Sequence, residues 1–291
     1  MATIVLPTLG YRSHSIGTRN ASSHDTVTIR LSDPCSESKK WMTRFALRSM
    51  TALHVSRRDA PQLTPKELAA VTKSIQQFQL GEGSRGQRLL DRGTAYGNKV
   101  KDSCFASALE LFIMEEQQHS RYLADFMESQ DIPLVSRHWI DTVFRRLRGL
   151  AALELSLTVL VTAELIAVPY YRALRDATGS LTLRIICTRI LEDETAHLRF
   201  QASMLARVAS RRPPVWQRAT RGLHRLLLLG TILVVWAGHH TVFETGGYGF
   251  RRFKEETLRE FREWEILRRT CVAAATVERN PTINRLERAE P

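Results

Sequence analysis

Apolar residues recur every three to four positions along most of the chain after residue 64, the spacing that places them on one face of a helix. The segment 64–67, TPKE, combines a capping box with a proline at the first helical position. It predicts the start of a first long helix, which runs to about Tyr96 and stops at a Gly-Asn pair. A second helix is predicted over about 102–129.

The helical spacing continues in four further segments. A third helix is predicted over about 141–176; it is apolar on most sides and contains Pro169, which is expected to bend it. A Gly-Ser turn leads to a fourth helix over about 181–210. A fifth helix contains the apolar run 226–236, and a charged amphipathic helix follows over about 253–277.

The N-terminal region has a different composition from the rest. Residues 1–23 contain no Asp or Glu and are rich in Ser and Thr, which is typical of either an organelle transit peptide or a disordered basic tail. A helix is predicted over 39–58, with aromatic residues among basic ones, and it either pads the core or lies on a membrane surface. The one candidate strand is 26–31.

These patterns predict an all-α protein with four successive segments. The first, 1–38, is expected to be a disordered basic segment, and 39–63 an N-terminal helix with a linker. The segment 64–210 is expected to form a helical bundle. The segment 211–291 adds the fifth, apolar helix and the C-terminal amphipathic extension.

Composition narrows the function classes. Lys+Arg 42 against Asp+Glu 30 gives a formal net charge of +12, which favours anionic partners, but the basic clusters are scattered and form no nucleic-acid motif. The four cysteines form no CxxC pair, which argues against a rubredoxin-type iron site, a zinc ribbon or a disulfide scaffold and favours a reducing, cytoplasmic location. The longest apolar run, 226–238, has 13 residues, whereas a transmembrane helix needs about 20. We therefore expect the fifth helix to cover the bundle.

Two helices carry the same pair of chemical groups. Glu116 and His119 on the second helix, and Glu194 and His197 on the fourth, are each three residues apart and so lie on one helical face. A single Glu-x-x-His match is common by chance, and its position in the helix is the stronger test. Two such faces can turn two carboxylates and two imidazoles inward.

The heights of these pairs along the helices select two further carboxylates. Groups on antiparallel neighbouring helices meet when they lie equally far from the connecting turn, because both helices rise about 1.5 Å per residue. Glu82 and the first Glu-His pair have their midpoint near the turn that follows Tyr96. The sequence midpoint between Glu164 and the second Glu-His pair falls at the Gly-Ser turn. The midpoint between Glu154 and that pair would fall inside the helix instead. The connection at about 130–140 is long enough to cross the length of the bundle.

This arrangement resembles the ferritin-like di-iron carboxylate superfamily, the group of four-helix bundles that includes rubrerythrin and ferritin. The resemblance covers about 64–210 and implies a ferritin-like bundle with one long crossover and two iron ions, although manganese fits the same ligands. It implies that Glu116 and Glu194 bridge the ions, that the other two carboxylates are terminal ligands, and that each imidazole binds one ion. The chain lacks rubrerythrin's cysteine-rich domain and adds helices that ferritin does not have. The implied metal ligands are Glu82, Glu116, His119, Glu164, Glu194 and His197.

Several neighbours of these ligands are candidates for supporting roles. Asp193 precedes Glu194 as in the family's DExxH motif, where the Asp resembles an acceptor that orients a ligand His. Tyr122 and Tyr171 lie at helical spacing from ligands and either line an oxygen pocket or pack in the core. Glu115 is i, i+4 from His119 and is not expected to be a ligand.

Three glycines, at positions 81, 83 and 86, surround Glu82. Within a helix they would cost roughly 2 to 3 kcal/mol relative to alanine. Either close helix packing, a bulge that re-aims Glu82, or a substrate channel beside the metals would explain them. The channel hypothesis predicts that leucine at Gly83 or Gly86 slows turnover without removing metal.

The function expected from this resemblance is that of a di-iron oxidoreductase. It would activate dioxygen or peroxide to oxidise or hydroxylate a small-molecule substrate, with an external electron donor; neither the substrate nor a catalytic residue is readable from the sequence. The alternatives are a ferroxidase or iron-handling protein and a non-catalytic basic helical scaffold. Peripheral membrane contact, a dimer and organelle targeting stay open, and no clear nucleic-acid site is present.

Overall fold

The computed structural model describes residues 37–54, 62–136 and 152–279. Within these ranges all regular secondary structure is helical, as predicted, and it forms eight helices. The candidate strand 26–31 and the predicted disordered segment before residue 37 lie outside the described residues. The helices are α1 (Glu37–Ser49), α2 (Pro65–Glu82), α3 (Gln87–Val100), α4 (Cys104–Ser129), α5 (Leu153–Asp176), α6 (Leu181–Ala209), α7 (Pro214–Thr245) and α8 (Phe250–Arg279).

The prediction of one continuous first helix is wrong, because the glycines break it. Helix α2 ends at Glu82, with Gly83 as its C-cap, and α3 begins after Gly86. Gly86 has φ +59°, in the left-handed region that favours glycine, and a Cβ there would lie 2.6 Å from Ile113 Cδ1. Glu82 is therefore the last residue of α2, and the glycine cost predicted for a helix interior does not arise at Gly83 or Gly86.

The other helices match their predictions closely, with two differences. Helix α1 ends at Ser49, well before the predicted residue 58. Of the predicted third helix, the described part forms α5 (Leu153–Asp176), while its first part, up to residue 151, and the end of the crossover, 137–140, lie outside the described residues. Helix α5 runs through Pro169.

Helices α2 and α3 pack on α4, α5 packs on α6, and α4 meets α6. These contacts bury one continuous apolar core, in which Phe105, Leu157, Leu165 and Ile186 are fully buried. Three additional helices surround it: α1 lies on α4, α7 lies on α5 and α2, and α8 lies on α6. The meeting of α4 and α6 brings the two Glu-His pairs together.

The capping box at the start of α2 also sets its height relative to α5 and α6. The Glu67 carboxylate accepts hydrogen bonds from the Thr64 backbone (2.9 Å), from Gly179 N (2.6 Å) and from the Thr178 hydroxyl (3.2 Å). It therefore ties α2 to the turn between α5 and α6. Because Glu82, Glu164 and Glu194 are equally far in sequence from this joint, helical rise places all three at one height.

Helices α5 and α7 are both long and apolar enough to cross a membrane by length and composition alone. The core helix of a protein can be equally long and apolar. Helix α5 is such a core helix, because 83% of its most apolar stretch of 18 residues is buried. Helix α7 differs, since only 39% of its most apolar stretch of 18 residues is buried. It covers α5 and α2, as expected for the fifth helix, and leaves its outer side exposed.

Candidate metal centre

Four of the predicted ligands form a compact cluster between α4 and α6. One ligand atom from each of Glu116, His119, Glu194 and His197 lies within 4.8 Å of all the others. Both histidines and Glu194 are fully buried. Such a set of imidazole nitrogens and carboxylate oxygens suits a divalent transition metal.

Both imidazoles turn Nδ1 toward the centre of the cluster. His197 Nδ1 lies 2.8 Å from Glu116 Oε1 and 3.6 Å from Glu194 Oε2. His119 Nδ1 lies 3.9 Å from Glu116 Oε1 and 3.8 Å from Glu194 Oε1. Each of these two glutamates is thus close to both imidazoles, while the imidazole ring centroids are 5.5 Å apart.

The outer nitrogen of each imidazole meets a carboxylate from the opposite helix. His119 Nε2 lies 3.2 Å from Asp193 Oδ2, and His197 Nε2 lies 2.9 Å from Glu115 Oε2. A carboxylate at this position favours the tautomer with the proton on Nε2, which would leave Nδ1 facing inward as a ligand atom. Asp193 thus lies within hydrogen-bond distance of His119, the kind of histidine contact considered for it from the sequence.

Glu115 is a functional candidate that the sequence reasoning missed. It was set aside as a ligand, but it supports His197 as Asp193 supports His119. The signal was present, since both helices carry an acidic residue directly before the Glu of Glu-x-x-His. Only the packing of α4 against α6 shows that each acid serves the other helix's histidine.

The remaining two glutamates lie beside this cluster. The Tyr171 hydroxyl donates to Glu82 Oε1 at 2.6 Å, and Glu82 also lies against Glu116. Gln201 Nε2 donates to Glu164 Oε1 at 2.9 Å, and Glu164 Oε2 lies 3.9 Å from His197 Nδ1. All six predicted ligands therefore converge, with Tyr171 holding one of them.

Tyr122 packs in the core, one of the two roles considered for it, and does not line the cavity. It is buried, and its hydroxyl accepts a hydrogen bond from Leu53 N at 2.7 Å, which anchors the segment after α1. Helix α1 itself closes one side of the site. Phe45 lies against the His197 ring at a centroid distance of 6.0 Å, and Arg48 forms an ion pair with Asp193. The sequence reasoning gave neither of these two residues a role at the site.

Burial controls the protonation of the four carboxyl groups. It raises the pKa of Glu116, Glu194 and Glu82, and neighbouring carboxylate charges add to the rise. Burial acts in the same direction on Glu164, but the polar side chains around it, those of Glu194, His197 and Gln201, outweigh burial and lower the pKa of Glu164 to about 2. Four ionised carboxylates cannot share this volume without positive charge.

Asp193, next to the cluster, also has a lowered pKa. Burial would raise its pKa, but the hydrogen bonds from His119 and Arg48 and the charge of Arg189 lower the pKa of Asp193 to about 2. Its negative charge is therefore available to hold His119 at any pH in the physiological range.

The residues fit a metal pair because their inward atoms lack partners. Glu116 Oε1, both Glu194 oxygens and the Nδ1 atoms of His119 and His197 are buried and form no hydrogen bond of good geometry in the described part, although His197 Nδ1 lies 2.8 Å from Glu116 Oε1. Leaving such atoms unpaired in the core is costly. All of them point at the same space, where cations would satisfy them together.

A largely apolar cavity of about 170 Å³ adjoins this space. Glu82, Glu116 and Glu164 reach it from the side of the Glu-His cluster, and Gly81 lies on its wall. On the far side α7 contributes His239, whose Nδ1 lies 2.7 Å from the Ser74 hydroxyl. The cavity lies where the sequence predicted a channel; Gly81 and Gly86 lie on its wall, and Gly83 does not.

No family model, no curated protein and no solved structure matches the chain. The interpretation of the site therefore rests on its geometry.

Proposed function

We propose that this protein is a di-metal carboxylate oxidoreductase that uses dioxygen or peroxide to oxidise an apolar organic substrate. The observation that carries the proposal is the set of unpartnered buried ligand atoms directly beside an apolar cavity. A buried acidic cluster without cations would destabilise the core, and an apolar cavity is the usual form of a small-molecule site.

In this proposal Glu116 and Glu194 would help to hold both ions of a metal pair, because each lies close to both imidazoles. Glu82 with His119 would complete one site, and Glu164 with His197 the other. Iron suits these mixed nitrogen and oxygen donors, and manganese fits the same set. When bound in the reduced state, such a pair supplies the electrons that activate dioxygen.

The protein's own residues position and shield this chemistry. Asp193 and Glu115 hold the imidazoles with Nδ1 inward, and Tyr171 holds Glu82 at the cavity edge. The apolar walls exclude water from the space next to Glu82 and bind the hydrocarbon part of a substrate. His239, on the opposite wall, is the polar group available to orient the substrate.

The cavity favours an organic substrate over iron as substrate. A ferroxidase must lead ferrous ions to its centre, and a path for cations is lined with carboxylates. Here the space beyond Glu82 is bounded mainly by side chains such as Phe78, Val159 and Ile166. Iron handling is accordingly the second candidate.

The test loads the full chain with ferrous iron without oxygen and then admits oxygen together with a reductant. We expect sustained oxygen consumption that rises when small aromatic or aliphatic compounds are supplied, with oxidised products detected by mass spectrometry. Oxygen consumption that stops once the added ferrous iron is oxidised, and that no organic compound alters, would favour the ferroxidase. Absence of bound metal would refute both.

A further inference from the structure

Helix α7 has an apolar outer side as well as an apolar inner side. The inner side contributes Thr231, Val235 and His239 to the cavity. The outer side is exposed: Leu226 is 69% exposed, and Leu233 is 60% exposed. We call this side the outer stripe and define it by the exposed residues Ala219, Leu223, Leu226, Leu229, Leu233 and Ala237, which follow one another at helical spacing.

The outer stripe is long and uncharged. From Ala219 to Ala237 it extends about 27 Å at the rise of an α-helix. Two exposed arginines, Arg218 and Arg225, lie along one edge and form no ion pair within the part of the chain that the structure describes. An apolar helical face bordered by arginines is typical of a helix that lies in a membrane interface.

The charge around α7 identifies the kind of surface it fits. Between Glu194 and Glu244 the chain contains no Asp or Glu and seven arginines. Of these, Arg207 and Arg212 pair with acidic groups of the core. Arg218 and Arg225, exposed along the outer stripe, give its edge a positive charge that is complementary to anionic headgroups.

The remaining segments of this chain and a second copy of it are less suitable partners for the outer stripe, because their charge is less complementary. None of the segments outside the described residues carries a substantial negative charge, and 137–151 contains four arginines against one aspartate. A second copy of the chain docked through the same stripe would bring Arg218 and Arg225 toward like charges. An anionic lipid surface satisfies both the apolar stripe and its basic edge.

We propose that the outer stripe of α7 docks on an anionic membrane, with the helix axis parallel to the surface. The helix would then separate lipid on one side from the cavity on the other by about 10 Å, the diameter of one helix. This goes beyond the proposed function and requires no metal.

The test is flotation of the full chain with vesicles made of equal parts phosphatidylcholine and phosphatidylglycerol, compared with phosphatidylcholine alone. We expect flotation with the anionic vesicles that high salt weakens. The double variant Leu226→Gln/Leu233→Gln should partition roughly 10-fold less or weaker still, because each leucine contributes apolar area to the interface. Arg218→Gln/Arg225→Gln should lower binding to anionic vesicles toward that on phosphatidylcholine.

The matched control is Leu181→Gln, since Leu181 is 67% exposed but lies at the start of α6, outside the stripe. It should float as the unmodified chain does, and circular dichroism should show unchanged helix in every variant. Glu194→Ala, which removes a metal ligand, should also float normally, which separates this proposal from the proposed function.

Three results would overturn the docking proposal. The first is absence of flotation with anionic vesicles, and the second is equal flotation of the stripe variant. The third is sedimentation in which the unmodified chain is a dimer and Leu226→Gln/Leu233→Gln a monomer, since the stripe would then join two copies. Resistance to extraction by alkaline carbonate would indicate a spanning helix and would also contradict surface docking.

Discussion

Glu164 and Glu154 are both buried on α5, yet their surroundings differ at the scale of single residues. Glu154 accepts a hydrogen bond from Trp216 Nε1 at 3.1 Å and lies 3.6 Å from Arg212 Nε. Glu164 instead faces His197 and other carboxyl groups. The same residue type therefore serves as a structural ion-pair partner at one position and as a candidate ligand at the other.

This contrast yields a first prediction on metal content. Glu164→Gln should lower the metal bound per chain, because an amide oxygen is a weaker ligand than a carboxylate, and Glu194→Ala should abolish binding at both positions, because Glu194 lies close to both imidazoles. The measurement is elemental analysis after dialysis. Glu154→Gln is the control and should keep full metal content. Stoichiometric metal in Glu194→Ala would contradict the bridging assignment.

The second prediction concerns the carboxylates behind the imidazoles. Asp193→Asn and Glu115→Gln should each weaken metal binding by roughly 10- to 100-fold, because an amide cannot hold the histidine in the tautomer with Nδ1 inward as firmly as a carboxylate. Competition with a chelator of known affinity measures this. Glu110→Gln, on the exposed side of the same helix as Glu115, should leave affinity unchanged. Unchanged affinity in both test variants would exclude the cross-helix support.

At the scale of helices, the break between α2 and α3 makes Gly81 the suitable glycine at which to narrow the cavity by substitution. A Cβ at Gly81 would have no other heavy atom within 4 Å, whereas one at Gly83 would lie 3.0 Å from the Ser120 hydroxyl and Gly86 has a left-handed backbone. Leucine at Gly83 or Gly86 would therefore disturb the chain itself.

The third prediction is that Gly81→Leu narrows the cavity while keeping metal content and helix stability. Helix propensity favours leucine over glycine, so the thermal midpoint should not fall. Turnover of an organic substrate should slow, while oxygen uptake by the reduced protein stays nearly unchanged because oxygen needs little space. Equal slowing of both reactions would instead indicate displacement of Glu82. Gly230→Leu, on the outer side of α7 where a Cβ also meets open space, is the matched control.

Glu67 ties the start of α2 to the turn between α5 and α6, and its pKa reflects these hydrogen bonds. Hydrogen bonds from Thr64 and from the backbone of Gly179 lower the pKa of Glu67 from 4.5 to about 2. Because the pKa is lower in the folded state than in the unfolded state, the carboxylate stabilises the fold above pH 4.5 and loses this effect as the pH falls toward 2.

The fourth prediction is that Glu67→Gln lowers the free energy of unfolding by about 1 kcal/mol at neutral pH, the usual magnitude for loss of a helix cap. Urea unfolding measures it, and the difference from the unmodified chain should shrink in acid. Glu110→Gln should have no such pH-dependent effect. A difference that stays constant down to pH 2 would show that the ionised carboxylate is not the stabilising form.

At the scale of the whole molecule, the candidate centre joins helices that are distant in sequence. Its ligands come from α2, α4, α5 and α6, so cations there would hold the core together against the repulsion of buried carboxylates.

The fifth prediction is that metal raises the stability of the whole fold. At about 100 times the dissociation constant, metal that binds only the folded state adds about 2.7 kcal/mol. Calorimetry should show a higher unfolding temperature for the iron- or manganese-loaded protein than for protein treated with a chelator. Glu194→Ala should show no such increase. A metal-independent unfolding temperature in the unmodified chain would argue against a centre in the core.

The sequence by itself determined the helical class, most helix boundaries and the candidate ligands, because these depend on spacing within one helix or on distance from one turn. The capping box at Glu67 and the Glu-x-x-His pairs are patterns of this local kind. Tertiary structure decided the rest. The contact of Glu115 with His197 joins residues 82 positions apart, and α1 reaches Asp193 across 145 positions. No local periodicity encodes such contacts, since they depend on how the helices pack; the same packing decides that α5 is buried while α7 keeps an exposed apolar side.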